Sequence, residues 1–90
     1  MNEAKFIEIF NNEEQGGNLL SKIETDNALD GLLIIKKYLP NSGIEGAEHD
    51  QIYATNISKL IEAGITEEDV VMLNRLNWLI EDETYLACFV

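Results

Sequence analysis

The sequence predicts an α+β fold, a small three-stranded antiparallel sheet packed against helices. At Trp78 the apolar spacing changes from that of a helix to the two-residue alternation of a strand. Residues 81–83 are all acidic and interrupt the apolar pattern, which indicates the tip of a hairpin between strands at 78–82 and 85–90. A third strand is predicted at 51–55, where β-branched and aromatic residues cluster. The 90 residues suffice for a single domain with one modest core.

The helix before this hairpin has a well-defined start. Thr66 is expected to be its N-cap, because the hydroxyl oxygen can accept a hydrogen bond from a backbone N–H of the first turn. Ile65 and Val70 have the spacing of a hydrophobic staple, and the acidic residues at 67–69 complement the helix dipole. A short helix at 57–63 precedes it and is expected to end at the glycine that follows. The pair superficially resembles a helix-turn-helix, but the acidic start of its second helix opposes a DNA-reading role.

Two more helices are predicted in the N-terminal half, which makes the element order α, α, β, α, α, β, β. In the first, Phe6, Ile9 and Phe10 share a helical face within residues 1–15, although the alternation at 5–10 also fits a strand. We favour the helix.

A glycine pair at 16–17 is expected to separate this helix from the second one. The second helix begins either at the capping-box spacing of 21–24 or at a cap at 25–26, and it ends before Pro40. Gly31 inside it costs about 1 kcal/mol relative to alanine, so we expect it to permit the close approach of a neighbouring element. The predicted core residues are Leu29, Leu32, Leu33, Ile65, Val70, Leu73, Leu76, Trp78, Ile80 and Phe89.

The chain is strongly acidic, and the charge is unevenly distributed. Seventeen acidic and six basic residues give a formal net charge of −11. Residues 1–40 carry seven acids and four bases, net −3, whereas residues 41–90 carry ten acids and two bases, net −8. Direct binding to nucleic acid is therefore not expected, because Lys and Arg are needed to neutralise phosphates. A basic protein surface is the better electrostatic partner, including one that normally holds nucleic acid.

Catalytic and metal-binding motifs are not visible in this sequence. The most polar cluster near a strand is Glu48-His49-Asp50, but a second histidine and HExxH spacing are lacking, so His49 is expected to make structural hydrogen bonds. Cys88 in an apolar strand is expected to be buried, and Trp78, Tyr85 and Phe89 are expected in the core rather than in a ligand site. We predict a protein that is not an enzyme and has no catalytic residue, cofactor or metal; a small enzyme or metal protein built on His49 is the third alternative.

The expected compartment is the cytoplasm. The N-terminus lacks the cationic and apolar pattern of a secretory signal, and no stretch approaches the ~20 apolar residues of a membrane span. A single cysteine cannot form an internal disulfide, which is typical of a reducing compartment.

Three segments, EHDQIYA at 48–54, ITEEDVVMLNRLNW at 65–78 and DETYLACFV at 82–90, resemble a group of short acidic proteins encoded by bacteriophages and prophages. In that group an acid-His-Asp, a strand, a capped helix, a Trp and a terminal hairpin recur in this order. The resemblance extends over residues 44–90, implies a mobile-element origin and a place of action in the host cytoplasm, and brings no catalytic activity with it.

The predicted function is to bind and inhibit a basic host protein that handles nucleic acid or serves in defence, as an anti-CRISPR protein does. The acidic surface would occupy a site that otherwise holds DNA or RNA. The alternative is a self-associating structural or regulatory module, a homodimer paired edge to edge through the strand at 85–90. A solvated acidic face with no partner would also explain the charge. The residues expected to contact a partner are Glu48, Asp50, Glu67, Glu68, Asp69, Glu81, Asp82 and Glu83.

Overall fold

The computed structural model describes residues 1–12 and 22–89 and confirms the α+β class. The predicted breaker at 16–17, the possible cap at Ser21 and the last residue, Val90, lie outside the described residues. The elements in chain order are α1 (Glu3–Asn11), α2 (Asn27–Tyr38), β1 (Gly46–Glu48), β2 (Gln51–Asn56), α3 (Ile57–Glu62), α4 (Glu67–Arg75), β3 (Leu79–Glu81) and β4 (Tyr85–Phe89).

The sheet has four antiparallel strands in the order β1-β2-β4-β3, rather than the three that the sequence predicts. The additional strand is β1, which forms a hairpin with β2. Its two-residue turn is His49–Asp50, and both residues have positive φ, 52° and 64°. Such turns usually contain Asn-Gly or Asp-Gly, so this hairpin lacks its common sequence signature. The acid-His-Asp cluster therefore forms a turn rather than the approach to a strand.

The predicted helix caps are confirmed. Thr66 precedes α4, and its Oγ1 accepts a hydrogen bond of 3.2 Å from the backbone N–H of Asp69. Ile65 and Val70 on either side of this cap are buried. Gly64 follows α3 with a φ of 88°, a conformation that favours glycine. Asn2, Asp26 and Asn56 cap α1, α2 and α3 in the same way, each accepting a hydrogen bond from a backbone N–H of the first turn. The residue before each helix therefore determines where it begins.

The end of α4 carries Trp78 into the core. Asn77 has a φ of 64° and donates its backbone N–H to the Asn74 carbonyl, while the Trp78 N–H donates to the Leu73 carbonyl at 3.1 Å. This pair of bonds is a Schellman motif with asparagine in the left-handed position. It turns the chain so that Trp78, which is 1% exposed, enters the core directly before β3.

Gly31 admits the Trp78 indole, as the close-approach prediction requires. A Cβ placed on Gly31 would lie 1.9 Å from Trp78 Nε1, and this nitrogen donates a 2.8 Å hydrogen bond to the Asn27 carbonyl. The buried side of α2 is therefore the one with Gly31, and Leu29 and Leu33 are exposed instead. Their predicted place in the core is wrong because α2 is apolar around most of its circumference, so periodicity does not identify the packed side.

The four helices and the sheet share one core, in which α1 packs against α3 and α4, α3 contacts β2 and α2 contacts β4. Five of the predicted core residues are buried, Leu32 and Ile80 are partly buried against them, and Phe89 is exposed. The five are Ile65, Val70, Leu73, Leu76 and Trp78.

Strand β4 is an inner strand, paired with β2 on one side and β3 on the other. Its backbone groups are already used within the sheet, so the edge-to-edge homodimer predicted through residues 85–90 is wrong. The two edge strands are β1 and β3, and each is only three residues long, which limits pairing with another chain.

Candidate protein-binding surface

The eight acidic residues predicted to contact a partner lie at three separate places. Glu48 and Asp50 belong to the β1–β2 turn, and residues 81–83 belong to the end of β3 and the turn that follows it. Because the start of β2 pairs with the end of β4, these two turns lie at opposite ends of the β2–β4 pair, although the Gln51 side chain beside the first turn reaches Glu81 beside the second. The third place is the start of α4, residues 67–69. The fold therefore distributes the carboxylates rather than collecting them in one cluster.

At the start of α4, only two of the three acidic residues face solvent freely. Glu67 and Glu68 are exposed, whereas the Asp69 side chain is 18% exposed and its carboxylate lies 2.5 Å from Lys37 Nζ. The Tyr38 hydroxyl also donates a hydrogen bond to Asp69. Burial alone would raise the pKa of Asp69, but the hydrogen bonds from Lys37 and Tyr38 and the Lys37 charge lower this pKa overall. Asp69 therefore connects α4 to α2 through its contacts with Lys37 and Tyr38.

Replacing Asp69 by asparagine should destabilise the protein near neutral pH, and the difference from the parent should shrink as the pH falls. The pKa of Asp69 is lowered in the folded protein. Its carboxylate therefore stabilises the fold above its unfolded pKa, about 4, and this stabilisation is lost as the pH falls through the folded pKa. Urea denaturation of both proteins between pH 7 and about pH 3 measures the difference. Glu68→Gln is the control, since Glu68 is exposed; a deficit in Asp69→Asn that is equal at every pH would contradict this role.

The outer face of the sheet, opposite the helices, carries exposed aromatic side chains. In β4 Leu86 and Cys88 are buried, while Tyr85 and Phe89 on the other face are 43% and 61% exposed, and Ala87 between them is buried. Their expected place in the core is wrong, because alternate residues of a strand point to opposite faces and the helices cover only one of them. All five residues of YLACF are apolar or aromatic, so the sequence contains no alternation that could have identified this face.

A hydrogen-bond network crosses this outer face from β2 to β3. Tyr53 donates its hydroxyl to Gln51 Oε1 at 2.9 Å, and Gln51 Nε2 donates to Glu81 Oε1 at 3.2 Å. Glu81 pairs with Tyr85 in the β3–β4 register and therefore shares its face of the sheet. One of the predicted partner-binding carboxylates thus belongs to an ordered polar network rather than to the tip of the turn.

The basic residues are all used inside the fold. By contrast, the carboxylates of Asp50, Glu67, Glu68, Asp82 and Glu83 make no hydrogen bond or ion pair within the ranges 1–12 and 22–89. The cations and their partners are Lys5 with Glu8, Lys22 with the Asn74 carbonyl and side chain, Lys36 with the Pro40 and Ser42 carbonyls, Lys37 with Asp69, Lys59 with Glu45, and Arg75 through a further contact in the chain.

The two remaining candidate residues are His49 and Cys88. His49 lies exposed in the β1–β2 turn, with its Nε2 3.1 Å from Glu48 Oε1. Among the described residues, no three His, Cys, Asp or Glu side chains converge as metal ligands. Burial raises the pKa of the Cys88 thiol, and the Asp26 charge adds to the increase, which disfavours the reactive thiolate.

None of the helices in the described part of the chain has the length and apolar character needed to cross a bilayer.

Comparison of the chain with protein-family models, curated proteins and solved structures finds no match. The resemblance of its segments at 48–54, 65–78 and 82–90 to phage proteins therefore stays a prediction from the sequence.

Proposed function

We propose that this protein binds a basic protein through its acidic surface and performs no catalysis. The observation that supports this proposal is a difference in contacts: the Lys and Arg side chains are engaged within the fold, while five exposed carboxylates at both turns and at the start of α4 have no hydrogen bond or ion pair among the described residues. A net charge of −11 destabilises a small compact protein through self-repulsion. A cationic partner would remove that repulsion and gain steering in the encounter.

The sharper proposal is that the partner is a host protein that handles nucleic acid or serves in defence, and that binding inhibits it. Such proteins hold nucleic acid in grooves where Lys and Arg neutralise phosphates. Carboxylates presented at turns and at a helix start can take the place of those phosphates. In this proposal the protein is a phage-type inhibitor, comparable to an anti-CRISPR protein, and it acts by occupying the groove in the host cytoplasm without binding nucleic acid itself.

The partner can be sought by immobilising the protein and passing a bacterial lysate over it at low and high salt. A basic nucleic-acid-binding protein that is retained at low salt, released at high salt and displaced by excess DNA or RNA supports the proposal. Retention that is indifferent to both salt and nucleic acid contradicts the mimicry, since electrostatic contacts are screened by salt.

Neutralising the unpaired carboxylates should slow association with the purified partner several-fold and flatten its salt dependence. The two variants are Glu67→Gln with Glu68→Gln, and Asp82→Asn with Glu83→Gln. A control that removes the same charge elsewhere is Glu3→Gln with Glu24→Gln, because both residues are exposed and lie outside the proposed surface. Stopped-flow or surface-based kinetics at two salt concentrations measure the rates. Equal slowing in all three variants would show that association depends on the net charge of the protein and not on the position of these carboxylates.

Self-association is a second candidate function, favoured by the exposed Phe89 and Tyr85 on the outer face of the sheet. Two copies would meet face to face rather than through an edge of β4. Light scattering over a range of concentrations and salt distinguishes the two functions, because self-association of a chain with net charge −11 should strengthen as salt screens the repulsion.

A further inference from the structure

An open groove of about 400 Å³ lies on the outer side of the sheet, next to the start of β1. Its walls are Glu45, Gly46, Tyr53 and Tyr85. Gly46 pairs with Tyr53 in the β1–β2 register, so the position beside the Tyr53 ring carries no side chain. A Cβ placed on Gly46 would approach Tyr53 Cδ2 only to 4.0 Å, which shows that the space is free and that a side chain would be tolerated there.

We propose that this groove receives an arginine side chain of the basic partner. The inference rests on the proposed function and names the chemistry of one of its contacts. Aromatic rings attract a guanidinium through their π faces, and a carboxylate can accept two parallel hydrogen bonds from its planar fork. Two tyrosines and Glu45 supply both kinds of group around one opening. A lysine ammonium would also be attracted by the Glu45 carboxylate, but it cannot stack on the tyrosine rings or form two parallel hydrogen bonds as a planar guanidinium does.

The Tyr53 ring is held in place before any partner arrives. Its hydroxyl donates to Gln51, and the Gln51 amide donates to Glu81 on β3. Gln51 is itself buried, so this network is anchored in the sheet. A ring that is already positioned loses little conformational entropy on binding, which favours recognition.

The surroundings of the groove also favour a cation. No strand of the sheet contains Lys or Arg, and Glu48 and Glu81 share the outer face with Tyr53 and Tyr85. Glu45 is paired with Lys59, whose Nζ lies 3.9 Å from Glu45 Oε1, with both side chains about half exposed. Exposed ion pairs of this length contribute little to stability. Glu45 can therefore exchange Lys59 for an incoming guanidinium.

The test uses N-acetyl-arginine amide as the probe, titrated into the isotope-labelled protein and followed by NMR. Saturable shifts at the Tyr53 and Tyr85 rings and at the Gly46 amide are expected, with N-acetyl-lysine amide weaker. Tyr85→Leu should weaken arginine binding about two- to fivefold, the range expected for an exposed cation–π contact. Glu45→Gln should weaken it as well, whereas Lys59→Gln should strengthen it by removing the competing cation.

Phe89→Leu is the matched control, because Phe89 is an exposed aromatic residue of the same strand and face but does not line the groove. Binding that is unaltered by Phe89→Leu and weakened by Tyr85→Leu supports the groove. Shifts spread over the whole acidic surface, or equal effects of the two variants, overturn it. The titration needs no protein partner, so its failure is distinguishable from failure of the proposed function, which the salt-dependent capture tests separately.

Discussion

Replacing Gly31 by alanine should destabilise the protein by at least about 3 kcal/mol, the upper part of the range for overpacking a core. The new Cβ would lie 1.9 Å from Trp78 Nε1 and 2.3 Å from Cε2, and neither contact is possible without movement of the ring. The indole is 1% exposed and donates to the Asn27 carbonyl, so movement also endangers a buried hydrogen bond. Helix propensity alone predicts the opposite sign, a gain of about 1 kcal/mol. Urea denaturation followed by circular dichroism shows whether Gly31→Ala lowers or raises the free energy of unfolding.

Two further variants show whether the effect comes from Trp78. Gly43→Ala is the matched control, since a Cβ at Gly43 meets nothing within 4 Å, and it should leave stability nearly unchanged. In a Trp78→Leu background, Gly31→Ala should cost less than in the parent, because the ring that it meets is gone. Stability that is equal to or greater than that of the parent in Gly31→Ala would disprove the close packing of α2 against Trp78.

The helices were largely predictable because their ends are determined by residues close in sequence. Thr66 and Asp26 accept hydrogen bonds from the first turns of α4 and α2, and Gly64 ends α3. Ile65 and Val70 pack around the start of α4 with the spacing that the sequence shows. Each of these features requires only a few adjacent residues, and the periodic apolar pattern supplies the rest.

The missed features depend on contacts between distant residues or on uncommon turn chemistry. The β1–β2 turn uses His49 and Asp50 in left-handed conformations without a glycine, so its hairpin has no familiar signature. The packed side of α2 is chosen by the fit of Trp78 to Gly31, whereas its apolar residues Leu29 and Leu33 suggested a different side. Neither choice can be read from spacing alone.

The sequence predicts that the candidate surface is acidic, but it does not predict which of the carboxylates are free to contact a partner. The sequence identifies the acidic residues, yet it does not show that Asp69 is paired with Lys37 or that Glu81 accepts from Gln51. These pairings follow from the packing of α2 on α4 and from the order of the strands. The exposure of Tyr85 likewise depends on which face the helices cover. The aromatic groove therefore becomes visible only when the sheet is assembled.

Truncating Leu73 to alanine should destabilise the protein by about 2–5 kcal/mol, whereas Leu33→Ala should change stability by less than about 1 kcal/mol. The two substitutions remove the same atoms, but Leu73 is fully buried in α4 and Leu33 is 56% exposed on α2. The larger loss combines lost burial with the cavity left behind. Because a domain of this size is stable by only about 5–15 kcal/mol, Leu73→Ala could unfold it, and Leu73→Met, expected to cost under about 1.5 kcal/mol, provides a milder measurement. Urea midpoints and slopes for all three variants test the assignment, and equal losses for Leu73→Ala and Leu33→Ala would show that α2 packs with its leucine side inward, as the sequence alone suggested.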